Sequence, residues 1–202
     1  DLFFYKNRFY FYKKISLFTK IFSILYFIDF KDSCFKIGVK MRKVFFSFHY
    51  GNDVNRSMIV RNSQLTHNNQ ITGFIDKAEF EKMHRTNSRE IHSWIDQQLN
   101  GTSVTVVLIG SETLDRDYVR YEILNSWIKN NAIIGVRIHS IIDMRTLSKD
   151  LPGNTHTELG KNNLQQPIFF DEICDAIYDY VEDDGYNNLG NWIESAAKNH
   201  GK

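Results

Sequence analysis

An α/β fold with a central, mainly parallel sheet flanked by helices is what the sequence predicts, on three observations. Ser103 to Ile109, S-V-T-V-V-L-I, is nearly continuous apolar sequence, the pattern of a strand covered by helices on both faces. Ala132 to Ile138, A-I-I-G-V-R-I, repeats it. A helix-length segment, Tyr118 to Lys129, lies between them, so strand and helix alternate at the spacing of parallel crossover units.

The elements follow in order. Lys43 to Phe48, K-V-F-F-S-F, is a short β-branched and aromatic run that suits a buried first strand. Gly51-Asn52-Asp53 breaks it, and Asn52 or Asp53 suits the cap of a helix running to about Arg61. After a polar tract, Asn62 to Gln70, Ile71 to Ile75 reads as a second short strand ended by Asp76. Thr86 to Leu99 reads as a helix capped at Thr86 or Asn87, with Ile91, Trp94, Ile95 and Leu99 at helical spacing, and Asn100-Gly101 stops it. Past the Ser103–Ile109 strand, Gly110-Ser111 turns the chain, and Asp115 or Asp117 suits the next cap. In the Tyr118–Lys129 helix, Val119, Ile123, Leu124, Trp127 and Ile128 form the expected core stripe. Periodicity alone then places Glu122 roughly opposite, as a solvated first-turn carboxylate favoured by the helix dipole. It places Arg120 near the stripe edge, as a local ion-pair partner or a phosphate ligand. Beyond His139 the pattern weakens. Leu151 to Gln166 is polar, Ile168 to Phe170 reads as a late strand, and Ile173–Tyr180 and Leu189–Ala197 read as helices. With no linker or repeat between Met41 and Lys202, residues 41–202 are expected to form one domain.

Composition bounds the function. The 202 residues are 42% hydrophobic and 24% charged, with 2 Pro and 11 Gly, which excludes a collagen-like or disordered chain. A formal charge of +1 supplies no global basic field, so nucleic acid is not an expected partner. Two cysteines, Cys34 and Cys174, make no disulfide scaffold and fit a reducing compartment; a cytoplasmic protein is expected. Residues 1–40 differ from the rest: they hold 9 of the 16 Phe and 4 of the 10 Tyr, and eight Lys or Arg against three Asp. As a membrane span, Ile15 to Phe30 is short and contains Lys20. As a signal peptide the segment lacks a small-x-small cleavage site. The leading expectation is an upstream stretch read in frame, with Met41 as the natural start; a membrane anchor or membrane-surface segment, and a native extension packed on the domain, are the other readings.

Standard chemical motifs are missing. There is no G-x-G-x-x-G, no G-x-x-x-x-G-K-[ST] and no G-x-S-x-G. His49, His67, His84, His92, His139, His156 and His200 lack zinc-ligand spacing, and the acidic pairs Asp171-Glu172 and Asp183-Asp184 read as solvated helix ends, so no metal is expected. Ligands of parallel α/β sheets bind beyond the carboxyl ends of the strands. That points to Ser47–Asp53, Asp76–Phe80, Gly110–Glu122 and His139–Arg145.

Four segments within this frame carry a resemblance. They are K-V-F-F-S-F at 43–48, I-T-G-F-I-D at 71–76, T-S-V-T-V-V-L-I-G-S-E-T at 102–113 and Y-V-R-Y-E at 118–122. Together with F-F-S-F-H-Y and Arg61-Asn62, they resemble the bacterial Toll/interleukin-1 receptor (TIR)-like family of the Thoeris antiphage defence system, over about Arg42 to beyond Arg137. The resemblance implies a three-layer, flavodoxin-like TIR fold. It implies an NAD-cleaving enzyme whose catalytic glutamate ends a W-x-x-x-E stretch, which maps onto Tyr118 to Glu122 with Tyr118 in place of Trp. Phe48, His49, Tyr50, Asp76 and Ser111 would then line the nucleotide pocket with Tyr118, and Arg120 would meet the pyrophosphate.

The implied chemistry needs one carboxylate. The base leaving NAD is already cationic and departs as neutral nicotinamide, so no general acid is required, in contrast to ordinary glycoside cleavage. Glu122 would hydrogen-bond the ribose and stabilise the oxocarbenium-like state, while Phe48 or Tyr50 stacks on a ring. NAD is thus substrate, and no cofactor is expected. The resemblance further implies a cyclic ADP-ribose-type signal, a separate Thoeris effector that the signal activates, a phage-derived trigger and a homo-oligomer. Two other readings remain: a non-catalytic TIR-like interaction or nucleotide-binding module, and a receiver-like phosphoacceptor. The latter needs clustered acids at strand ends, whereas the first strand ends in Phe48-His49-Tyr50 with Asp53 displaced.

Overall fold

The computed structural model describes residues 42–66 and 88–202, all within one unit, Arg42–Lys202. The leader at 1–40, the expected strand Ile71–Ile75, Asp76 and the expected caps Thr86 and Asn87 lie outside the described residues.

The chain enters through β1 (Val44–Phe48), then α1 (Tyr50–Thr66), α2 (Ser88–Leu99), β2 (Val104–Ile109), a 3-10 turn at Thr113–Asp115, α3 (Asp117–Ile128) and β3 (Ala132–Arg137). It continues through β4 (Glu158–Lys161), β5 (Pro167–Phe169), α4 (Phe170–Ile173), β6 (Ala176–Asp179) and α5 (Gly185–Asn199). Among the described residues the main sheet has the order β1-β2-β3-β6 and every pairing in it is parallel. All six residues of β2 are buried, as an apolar run between two helical layers requires.

Alternation of side chains along the strands creates the two faces. Val44 and Phe46 join Val60 of α1 and Leu189, Ile193 and Ala197 of α5 on one face. On the other, Phe45 packs with Ile91, Ile95 and Leu99 of α2, while Val107 and Ile109 pack with Val119 and Ile123 of α3. Fully burying one such side chain contributes about 1.5–3 kcal/mol, so each face is an independent source of stability.

Four local readings are corrected. Ile173–Tyr180 is not a helix: its first residue closes α4 and Ala176–Asp179 is β6, stabilised by pairing with β3 that no local propensity reports. Neither Asn52 nor Asp53 caps α1; the helix starts at Tyr50, and the Asp53 N–H donates to the His49 carbonyl at 2.8 Å. Arg116, rather than Asp115 or Asp117, is the cap of α3. The polar tract Leu151–Gln166 contains β4, which pairs antiparallel with β5 in a separate two-stranded sheet. Gly101 ends α2 with φ +74°, a left-handed conformation that glycine adopts without strain.

Candidate active site

Helix α3 does not present the expected stripe to the sheet. Val119, Glu122, Ile123 and Ser126 are buried, whereas Trp127 and Ile128 are 44% and 74% exposed. Glu122, expected in solvent, is only 7% exposed. The cause is the sheet beneath it. On β1 the alternation that sends Phe46 to one face turns Ser47 toward α3, and the Ser47 hydroxyl donates to Glu122 Oε2 at 2.5 Å. On β2 the same alternation turns Thr105 toward α3. Its hydroxyl donates to Ser126 Oγ at 2.7 Å, and Ser126 Oγ donates to the Glu122 carbonyl at 2.7 Å. A polar seam therefore runs through an otherwise apolar helix–sheet contact. Its hydroxyls are paired, as buried polar groups must be.

The electrostatics follow from the burial. Removal from water disfavours the charged carboxylate, and one hydroxyl compensates only part of that cost. Desolvation pushes Glu122 up to about 8, with Ser47 opposing the rise. Among the described residues no cationic side chain offsets it. Burial thus favours the neutral, protonated form of this carboxyl.

A second cluster lies at the carboxyl ends of β2 and β3. Asp53, wholly buried, accepts a hydrogen bond from Thr113 Oγ1 at 2.9 Å, and Thr113 Oγ1 accepts one from the Gly110 N–H at 2.8 Å. The Arg56 guanidinium lies 3.5 Å from Asp53 and 3.7 Å from Asp150, and its Nε donates to the Ile141 carbonyl at 3.0 Å. Burial raises Asp53 to about 6, with Thr113 and Arg56 opposing the rise. Next to it, Arg145 holds Asp143 far below the usual carboxylate range, and Asn55 donates to the same carboxylate. These contacts tie α1 to the loops that follow β2 and β3.

The expected site residues divide accordingly. Phe48 packs with the α1/α5 face, opposite the face that carries Glu122. Tyr50 lies 6.2 Å from it, ring centre to ring centre. His49, between them in sequence, has its proton affinity lowered by burial and by the nearby Arg116 charge. Ser111 donates to Asp150 at 2.7 Å and so belongs to the second cluster. Tyr118 packs toward α2, edge-on to His92 at 5.9 Å. Arg120 donates from Nε to the Leu114 carbonyl at 2.8 Å and reaches Asp115 at 3.5 Å, the local pairing that periodicity allowed. Sequence reasoning missed Ser47, Thr105 and Ser126 as partners of Glu122. Each is a hydroxyl interrupting an apolar buried segment, which is the signal that points to them. It also missed Arg56, Thr113 and Asp150, which meet only through loop packing. Among the described residues no group of three or more His, Cys, Asp or Glu is placed to hold a metal ion.

Comparison with known proteins bears on this geometry. The family described as "Thoeris protein ThsB, TIR-like domain" matches residues 45–142, which include Ser47, Thr105 and Glu122. A Bacillus cereus (strain MSX-D12) protein named "Putative cyclic ADP-D-ribose synthase ThsB1" is 31% identical over 189 residues, covering 75% of this chain and 98% of that protein.

Proposed function

The chain belongs to the ThsB TIR-like family of the Thoeris antiphage defence system, and we propose that it cleaves the nicotinamide–ribose bond of NAD and closes the remaining ADP-ribose into a cyclic signal. The observation that carries this reading is Glu122: a carboxyl held dry, hydrogen-bonded once, and lacking a cationic partner among the described residues. The name of the Bacillus relative, a cyclic ADP-D-ribose synthase, supports the same class of product.

The chemistry suits that carboxyl. NAD carries a positive charge at the nicotinamide ring, and its approach favours loss of the Glu122 proton to solvent. The carboxylate then faces the ribose as the C1′–N bond breaks. The bonding pair leaves with neutral nicotinamide, and the positive charge moves onto the ribose ring. A carboxylate in a water-poor setting stabilises that charge far more than one in water. An adenine nitrogen or a ribose hydroxyl attacks C1′ and closes the ring. Where the attacking group carries a proton, Glu122 is matched to accept it, because its proton affinity lies near neutrality. Cyclisation wins over hydrolysis only if water is kept out. Family resemblance is what supports Phe48, His49, Tyr50, Asp76, Ser111, Tyr118 and Arg120 as nucleotide contacts, and Phe48 would have to meet the nucleotide from the sheet face opposite Glu122. The cyclic product diffuses to a separate effector, and a phage-derived trigger or a second copy of the chain switches production on.

The test compares wild type with Glu122→Gln during phage infection, following NAD-derived products by mass spectrometry. The expected loss of product is about 100-fold or more. Equal product from both proteins rejects the catalytic assignment. Protection that persists in Glu122→Gln favours the non-catalytic interaction module instead.

A further inference from the structure

We propose that Ser47 is a positioning residue for Glu122, its hydroxyl holding the carboxyl on the β1 side of the site by a direct hydrogen bond. The proposal rests on the reading of Glu122 as the reacting carboxylate, but its geometry stands alone.

Ser47 is 1% exposed and sits on the last turn of the pleat in β1, between Phe46 and Phe48. In a strand whose other residues are Val and Phe, a serine adds no apolar area and carries a hydroxyl into a helix–sheet contact. Among the described residues that hydroxyl has one partner, Glu122 Oε2 at 2.5 Å. The main chain at Glu122 is braced separately, from β2, by Thr105 through Ser126. The two attachments do different things. Thr105 and Ser126 fix where the helix lies, whereas Ser47, alone among the described residues, hydrogen-bonds the carboxyl and holds its rotamer. A donor to the carboxylate also favours the ionised form, and the Ser47 bond opposes the rise that burial imposes. Without that bond the carboxyl is both freer to turn and harder to ionise. A reaction that needs the anion beside a developing cation loses on each count.

The experiment titrates Glu122 directly in the full chain by carboxyl carbon NMR, with the signal assigned by its disappearance in Glu122→Gln. In Ser47→Ala the midpoint is expected to move up by about one pH unit. In Ser47→Thr, which keeps the hydroxyl and suits a strand, it returns toward wild type. Thr105→Val removes a buried hydroxyl from the same interface without touching the carboxyl and leaves the midpoint in place. Should Ser47→Ala fail to fold, Ser47→Cys, a weaker donor, gives a smaller upward shift. In infected cells Ser47→Ala is expected to form about tenfold less NAD-derived product than wild type, with Ser47→Thr restoring most of it. A midpoint unmoved in Ser47→Ala or Ser47→Cys overturns the proposal. So does a midpoint that moves while product formation does not change. A wild-type protein that forms no NAD-derived product overturns the enzymatic reading instead, and the titration still decides whether Ser47 governs Glu122.

Discussion

Two buried acids within one domain have been treated differently. Asp53 is shut from solvent at the carboxyl ends of the strands but has an arginine at 3.5 Å and a hydroxyl at 2.9 Å, and its proton affinity rises only to about 6. Glu122, on the opposite face of the sheet from α1, has a hydroxyl and, among the described residues, no arginine, and it rises to about 8. Desolvation acts on both and more completely on Glu122; at Asp53 the Thr113 hydroxyl and then the Arg56 guanidinium oppose it, whereas at Glu122 the Ser47 hydroxyl does. Asp143, with Arg145 on it, marks the far end of the same scale. An acid whose task is to hold loops together is given its countercharge within the fold. Glu122 lacks one among the described residues, which is what a carboxylate needs if its countercharge is to arrive with the substrate.

The sharpest way to break this contrast is to remove the cation. Arg56→Met leaves Asp53 and Asp150 without their shared guanidinium and frees the Ile141 carbonyl. A loss of about 3–5 kcal/mol is expected in denaturant unfolding, against a much smaller effect if the cluster is only decorative.

Removing the uncompensated charge has the opposite sign. Because the folded-state affinity of Glu122 is raised, the native protein holds a proton between pH 4.5 and about 8 that the unfolded chain has lost. The contribution of this group is therefore fully present at low pH and is lost as pH rises through about 8. Glu122→Gln keeps a neutral side chain within reach of Ser47 and never ionises. Its stability advantage is expected to be absent at pH 4 and to grow to about 4–5 kcal/mol by pH 8.5, an upper bound set by the size of the shift. Parallel pH profiles for the two proteins show that the carboxyl is better solvated than its burial implies.

A smaller effect is expected from the packing that seats Asp53. A Cβ on Gly110 stands 2.3 Å from Asp53 Oδ1, so Gly110→Ala must displace the carboxylate from Thr113 and Arg56. Overpacking of this kind costs about 1–3 kcal/mol. Differential scanning calorimetry checks it, and an unchanged melting temperature means that the carboxylate has room to move.

Much of the framework was legible. The three long apolar runs became β1, β2 and β3 within a residue or so of their expected limits, because strands buried on both faces leave an unambiguous pattern. Strand β6 was hidden for the opposite reason. Ala176–Asp179 is four residues of mixed character, and its extended form depends on hydrogen bonds to β3, some forty residues earlier. The site was half legible. The resemblance pointed to Glu122 through Y-V-R-Y-E, while periodicity pointed away from it, since counting apolar residues put Trp127 and Ile128 into the core at the expense of Glu122 and Ser126.

What the amino-acid order alone determined is the alternation of helix and strand, the family, and the glutamate one turn into α3. Those follow from local pattern and from segments that can be read without knowing their neighbours. What only the tertiary structure decided is which face of α3 turns inward and how tightly its glutamate holds a proton. Both depend on Ser47 and Thr105, which reach the helix from different strands, and on the water that their meeting excludes. Desolvation belongs to an assembled site, so no reading of Tyr118 to Glu122 by itself contains it.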